Sequence, residues 1–358
     1  MAWWRILRDS RLALLLTTSV VSVLVAEALV AYLWPQPIWR RLLSDTPAMY
    51  VPGEVLPYEL KPGFTGRFRR PEFDTWIHIN SSGFRGPELR DSGEPRILVL
   101  GDSFTFGHGV GDGEAYPALL NQLLDGIEVV NGGFAAGASP DMYYAWLRGR
   151  GERVRFDGVV IGFFIGNDID GHPEIVWDET DALGLPRRIS DVKASVVDGY
   201  LRPRDTPIRY RFPILRNSHL FHLAGSAHHQ LERAWKPLRR APSVFDAEYS
   251  QTTLAAIDVT IRVFRGIKWW CDGRRIPLGV VMIPTVQQVT GAAHDRPQQR
   301  FAAAFSEMGV PYLDLRPALA GRREAYFVED LHWNVVGHRL AAAAIAEWLE
   351  RIGLVRPQ

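Results

Sequence analysis

Five short apolar runs, each stopped by Gly, Asn, Pro or Asp, constrain this chain more than any other feature. They are RILVLG from residue 96, GIEVVNGG from 126, FDGVVIGFFIGND from 156, RIPLGVVMIPT from 275 and GVPYLDL from 309. Helical patterns fall between them at 115–125, 141–150, 252–272 and 297–308. Strands alternating with helices build βαβ units around a parallel sheet that is buried on both faces. The expected fold class is therefore α/β with a parallel sheet. Ligands of such sheets bind beyond the carboxyl ends of the strands. The polar clusters that close the first three runs are Gly101-Asp102-Ser103, Asn131-Gly132-Gly133 and Gly166-Asn167-Asp168, and all three are expected on one rim.

With 358 residues the chain has room for one large α/β domain with additions, or for two small domains. A formal net charge of +1 gives no strong field toward nucleic acid, so no nucleic-acid partner is expected. The one cysteine, Cys271, excludes an internal disulfide and any multi-cysteine zinc or iron–sulfur site, and it is expected to be buried rather than reactive.

Residues 12–34 carry a single charge, Glu27, along a stretch long enough to cross a hydrocarbon core of roughly 30 Å as a helix. Arg5, Arg8 and Arg11 precede it, which favours a cytoplasmic N-terminus (residues 1–11). Trp3, Trp4, Tyr32 and Trp34 sit near its ends, where amphipathic rings suit the interfaces. A cleavable signal peptide is the rival reading, because AEA at 26–28 is a small-x-small site, but the apolar run continues through Leu33. The expectation is a single-pass anchor in the cytoplasmic (inner) membrane, with the rest of the chain periplasmic. Residues 35–93 read as a linker with a small strand-containing appendage in which EFDTWIHIN (72–80) alternates like a strand. The main domain then runs over 94–358, with an insertion at about 170–250 that holds a hairpin signal around Asp198-Gly199.

Ser103 is either a turn residue or a nucleophile, and a nucleophilic serine needs a general base. His332, in FVEDLHWNVVGHRL, follows an acidic pair and precedes a C-terminal helical pattern from Gly337 to Arg351. An acid two or three residues before it can bond Nδ1–H and leave Nε2 facing the serine; Asp330 and Glu329 both qualify by spacing. His338 lies within the helical pattern and reads as a packing residue. An oxyanion needs hydrogen-bond donors, and Ser103 N–H, a glycine N–H from NGGFAAG and the Asn167 amide form such a set.

These blocks together resemble the SGNH/GDSL hydrolase superfamily over roughly 96–352. GDSFTFG is similar to its first block, with Ser103 as nucleophile; NGGFAAG to its second, whose glycine N–H joins the oxyanion hole; GND (166–168) to its third, with Asn167 as donor; EDLHWN to its last, with the acid and His332. The resemblance implies a three-layer α/β/α sandwich of the SGNH/flavodoxin-like kind. Two departures accompany it. Alignment of the second block on SPD (139–141) selects Gly137, whereas alignment on Asn131 leaves Gly133 possible. The family's usual Asp-x-x-His places Glu329 in the acid position, while Asp330 forms an Asp-x-His similar to that of polysaccharide O-acetyltransferases related to alginate acetylation. Asp330 is the expected acid and Glu329 the alternate.

The resemblance implies a membrane-anchored serine hydrolase of O-acyl (acetyl) esters on an envelope or exported polysaccharide, needing no metal or organic cofactor. The alternatives are an O-acyltransferase using the same triad, and a non-catalytic subunit that keeps the fold. Other features carry less. Arg202, Arg204, Arg209, Arg211 and Arg216 read as a solvated basic face, Trp269-Trp270 as core, and Asp170 with His172 lacks a second ligand pair for a metal.

Overall fold

A computed structural model describes residues 10–36, 38, 47–136, 138–169, 176–191, 194–203, 212–235 and 243–354. The chain divides into two compact units, one of residues 47–204 with 241–358, the other of 1–46 with 205–240.

In the larger unit, β1 (Tyr50–Val51) pairs with β2 (Glu59–Leu60), and β3 (Thr65–Arg70) forms an antiparallel hairpin with β4 (Phe73–His78). Next come β5 (Arg96–Gly101), the one-turn helix α1 (Ser103–Phe106), α2 (Tyr116–Leu123), β6 (Glu128–Gly133), α3 (Pro140–Gly149) and β7 (Gly158–Phe164). Two antiparallel hairpins follow, β8 (Val176–Thr180) with β9 (Pro186–Asp191) and β10 (Ala194–Val197) with β11 (Tyr200–Pro203). The second turns through Asp198 (φ 52°) and Gly199 (φ 82°), the two left-handed residues a tight hairpin turn requires. The unit ends with α4 (Gln251–Asp272), β12 (Leu278–Ile283), α5 (Arg296–Glu307), β13 (Tyr312–Asp314) and α6 (Val335–Ile352).

The five expected strands form one sheet in the order β13-β12-β7-β5-β6, and every neighbouring pair is parallel. Numbered along the chain this is 2-1-3-4-5, the doubly wound order whose switch point lies between the first strand, β5, and the third, β7. Strand residues alternate between two apolar clusters. Ile97, Val99, Val160 and Val281 pack with Leu120 of α2 and with Ala341 and Ile345 of α6. Leu98, Leu100, Val159, Ile161 and Val280 pack with Leu147 of α3, Phe264 of α4 and Phe301 of α5. The result is a three-layer α/β/α sandwich. Burial of each such side chain contributes roughly 1.5–3 kcal/mol.

Residues before the sheet share this core. Tyr58, Phe68, Phe73, Ile77 and Phe84 are buried in the same cluster as the strands, as are Leu185 and Ile189 of the segment around β9. Trp177 of β8 donates to buried Asp141 at the start of α3 (2.7 Å). The 47–93 segment is therefore packed into the unit that holds the sheet.

Arg85 shows how. Its side chain is 1% exposed. Nη1 donates to the carbonyls of Phe106 (2.7 Å) and Gly107 (2.6 Å), Nη2 to that of Val110 (2.6 Å), and Nε to Asp112 Oδ1 (2.8 Å). Arg85→Met strips these carbonyls of their donor inside the fold and is expected to cost about 3–5 kcal/mol. Urea unfolding measures this as a lower midpoint at unchanged slope.

In the smaller unit the Ser10–Leu33 helix includes Ala13–Leu33, which is long and apolar enough to cross a membrane. Glu27 accepts from Ser218 Oγ (2.7 Å) and from the N–H groups of His219 (2.6 Å) and Leu220 (2.9 Å), capping the His219–Trp235 helix. Arg5, Arg8, Trp3 and Trp4 lie outside the described residues, as do Arg204, Arg209 and Arg211.

Candidate active site

The first strand of the sheet delivers Ser103. β5 ends at Gly101, Asp102 caps α1 by accepting Phe104 N–H (2.9 Å), and Ser103 is the first helical residue. The cap needs room beside the sheet. A Cβ on Gly101 would stand 2.0 Å from Thr105 Oγ1, and one on Gly133 2.1 Å from Phe106 N, so glycine at both strand ends lets α1 lie directly on the rim. Asn131 is a strand residue, not a turn residue. Its amide donates to Phe106 O (3.2 Å) and its Oδ1 accepts Gly133 N–H (3.0 Å), tying β6 to α1.

The far end of the chain delivers His332. Trp333 is fully buried next to it, and Asn334 caps α6 by accepting the N–H groups of Val336 (2.9 Å) and Gly337 (3.3 Å). These two anchors fix where the histidine emerges. Its Nε2 is 2.8 Å from Ser103 Oγ and its Nδ1 is 2.5 Å from Asp330 Oδ1. An ionised carboxylate only accepts, so Nδ1 carries the proton and Nε2 is the acceptor for the serine O–H. The phenyl ring of Phe104 lies 4.9 Å from the imidazole. The structure thus brings together Ser103, His332 and Asp330, residues separated by up to 229 positions in the chain. Glu329 is exposed and does not occupy the Nδ1 position.

Asp330 has a second imidazole beside it. His108 Nε2 is 3.3 Å from Asp330 Oδ2, and the His108 and His332 rings stack at 4.4 Å and 28°. Half-burial raises the Asp330 carboxyl, but hydrogen bonds from His108 and His332 outweigh it and hold it well below the usual carboxylate range. Burial, against the pull of Asp330, lowers His108 from the ordinary imidazole value, which favours its neutral form. Sequence reasoning passed over His108; its signal was a histidine five residues after the serine in the same strand-end loop.

Of the proposed oxyanion donors, Gly137 lies outside the described residues, and Gly133 already gives its N–H to Asn131. Asn167 is exposed in the turn after β7, across the switch point from Ser103. Beneath the rim lie two buried carboxyls. Burial pushes Asp102 up to about 6, against the lowering effect of Phe104 N–H, His332 and Asn167. Asp168, which accepts Phe164 N–H (3.1 Å) and Tyr143 O–H (3.3 Å), is pushed well above the carboxylate range by burial and by Asp102.

His338 is 1% exposed, and its Nδ1 accepts Tyr116 N–H (3.2 Å). Burial, with Arg85 and His332 adding, lowers it from 6.5 to about 3. The unfolded chain therefore binds a proton that the fold excludes, and stability from this site is present above pH about 6.5 and lost as pH falls toward about 3. The loss approaches ~5 kcal/mol at the acid end. His338→Asn keeps an acceptor at this place and is expected to flatten the fall in melting temperature between those pH values.

Among the described residues, His108, Asp330 and His332 are the group whose ligand atoms, all within 4.8 Å of one another, could hold a metal ion. Those atoms already serve one another: both imidazoles face the same carboxylate. Asp170 and His172 lie outside the described residues. Cys271 is buried, and burial lifts its thiol to about 12. Trp270 is core, whereas Trp269 is 52% exposed with the Arg148 guanidinium over its ring at 5.7 Å.

Residues 285–356 match a family model described as the SGNH hydrolase-like domain of the acetyltransferase AlgX. No curated protein matches the chain. Solved structures to which the chain is similar include a putative lipolytic protein of the G-D-S-L family from Desulfitobacterium hafniense, 13% identical, covering 71% of this chain and 99% of that one at a TM-score of 0.40. An acetylxylan esterase from Geobacillus stearothermophilus is 17% identical, covering 75% and 98% of the two chains at a TM-score of 0.38. A two-domain esterase active on acetylated mannans is 14% identical, covering 74% and 51% at 0.39. Residues 285–356, which hold Asp330 and His332, thus match an SGNH hydrolase-like domain, and the sheet of the larger unit has the doubly wound order.

Proposed function

We propose that this chain is a membrane-anchored, extracytoplasmic serine esterase that removes acyl groups, acetyl in the first instance, from carbohydrate hydroxyls. The observation that carries the reading is the continuous relay from Ser103 Oγ to His332 Nε2 (2.8 Å) and from Nδ1 to Asp330 (2.5 Å). In this reading His332 takes the serine proton as Oγ attacks the ester carbonyl, and Asp330 holds the imidazole in the required tautomer and stabilises its charge. The Ser103 N–H, the Gly137 N–H and the Asn167 amide receive the oxyanion. Collapse expels the sugar alkoxide, which takes the proton from His332. Water then attacks the acyl carbon as it gives a proton to His332, and collapse breaks the acyl–Oγ bond, returning that proton to Ser103 Oγ and releasing the carboxylic acid.

The second reading replaces that water with a sugar hydroxyl, making the chain an O-acyltransferase. The family match to a domain of an acetyltransferase and the Asp-x-His spacing favour it. Both chemistries share one acyl-enzyme and differ in which acceptor reaches it. Incubation with an acetylated oligosaccharide and an unacetylated acceptor separates them: free acetate alone supports the esterase, an acetylated acceptor supports the transferase, and neither product from a well-folded chain overturns both. Failure of a fluorophosphonate to label the chain at Ser103 supports a non-catalytic subunit. The Ala13–Leu33 helix supports anchoring in the cytoplasmic membrane. Protease accessibility of the folded domain in spheroplasts tests that topology.

A further inference from the structure

We infer that Glu72, in the turn of the β3–β4 hairpin, is a positioning residue that holds the acid–histidine loop in its working shape; this rests on the acyl-enzyme reading above. The last pair of the hairpin is Arg70 with Phe73, so Pro71 and Glu72 form a two-residue connection that points at the loop 327–332. Glu72 Oε1 accepts the N–H of Val328 (2.6 Å), and Oε2 accepts those of Glu329 (2.9 Å) and Asp330 (2.8 Å). Three successive amides converging on one carboxylate form a backbone anion nest, here filled by the chain itself.

The loop needs such a clamp because it is strained. Leu331, between the acid and the histidine, has φ +67°, a left-handed conformation that is unfavourable for a residue with a side chain. That kink folds the chain so that the side chains of Asp330 and His332 meet at 2.5 Å. Leu331 is itself 39% exposed, so little packing compensates its backbone. Phe327 N–H bonds His332 O (2.9 Å) and closes the base of the loop, leaving the amides of 328–330 to Glu72. The hairpin grips from the other side as well. Phe73, next to Glu72, packs on Phe327 (5.5 Å) and on the edge of His108 (5.3 Å), and Phe68 packs on His108 at 4.9 Å. One hairpin thus touches both the loop that carries Asp330 and the second imidazole that faces it.

Charge pairing does not explain the contact. Glu329 and Asp330 are acids like Glu72, and a carboxylate placed here opposes Asp330 electrostatically. What it supplies is directional acceptance of three amides.

The test compares wild type with Glu72→Ala and Glu72→Gln in the full chain, using the rate of fluorophosphonate labelling at Ser103 together with kcat and KM on an acetyl ester. Glu72→Ala is expected to slow labelling and lower kcat about 10- to 100-fold with KM within about two-fold, because a shift of the acid near 1 Å misaligns the relay without touching substrate. Glu72→Gln, which keeps one carbonyl acceptor, is expected to fall between the two. Leu331→Gly, which removes the left-handed strain, is expected to restore part of the rate in the Glu72→Ala background. A wild type that does not label overturns the acyl-enzyme reading and the inference with it. A wild type that labels, with Glu72→Ala labelling at the same rate, overturns the inference alone. Loss of the cooperative melt in both Glu72 variants also overturns it, since the residue would then hold the fold rather than the loop.

Discussion

Ser103→Ala is expected to lower kcat/KM on an acetylated sugar by ~10³-fold or more and to abolish fluorophosphonate labelling, while leaving the melting temperature within a few degrees of wild type. The size follows from the chemistry. Without Oγ there is no acyl-enzyme, and what remains is the contribution of bound donors and orientation to direct attack by water. The unchanged stability follows from the local structure. The hydroxyl's partner is His332, whereas the helix that starts at Ser103 is capped by Asp102 and seated by Gly101 and Gly133. Removing this one hydroxyl leaves that scaffold intact. Activity retained in the variant, measured on the same substrate with the same preparation, ends the nucleophile assignment.

Asp330→Asn is expected to reduce kcat by about 10²- to 10⁴-fold, with Glu329→Gln within about two-fold of wild type. An amide at position 330 presents either an N–H, which clashes with Nδ1–H and flips the imidazole into the tautomer that donates to Ser103, or a neutral oxygen, which stabilises the imidazolium far less than a carboxylate does. The site adds a second cost. His108 also faces Asp330, so the loss of charge loosens the stacked pair of rings and not one ring alone. Glu329 is exposed, and its backbone N–H goes to Glu72. Steady-state kinetics of both variants decide the matter, and the reverse order of effects transfers the role to Glu329.

The parts of the site legible in sequence are those whose chemistry is written into a short stretch. Ser103 stood out because an apolar strand breaks into Gly-Asp-Ser, and His332 because a histidine follows acids and precedes a helix. The choice between Asp330 and Glu329 was not legible by spacing, since both distances suit an Nδ1 partner. It turns on the left-handed backbone of Leu331, a conformation that a leucine gives no local reason to expect. Gly133 was legible as a glycine that something needs, but its use is close packing under Phe106. Arg85 and Glu72 left no local signal, because each acts on backbone groups of a loop far along the chain, and main-chain carbonyls and amides carry no residue identity to search for.

Sequence alone determined the layering and the polarity of this protein. Alternation of apolar runs with helical patterns requires a sheet covered on both faces, and strand ends rich in Gly, Asn, Asp and Ser require a polar rim at one edge. It also set apart an apolar helix long enough for a bilayer, because that property is a matter of length and composition. Only the tertiary structure decided the strand order that puts the switch point beside Ser103, the acid that faces His332, and the hairpin that holds the loop between them. The strand order and the hairpin contact join residues far apart in the chain and are set by packing the whole domain at once, and the choice of acid follows from the left-handed Leu331 backbone in the loop that this packing holds.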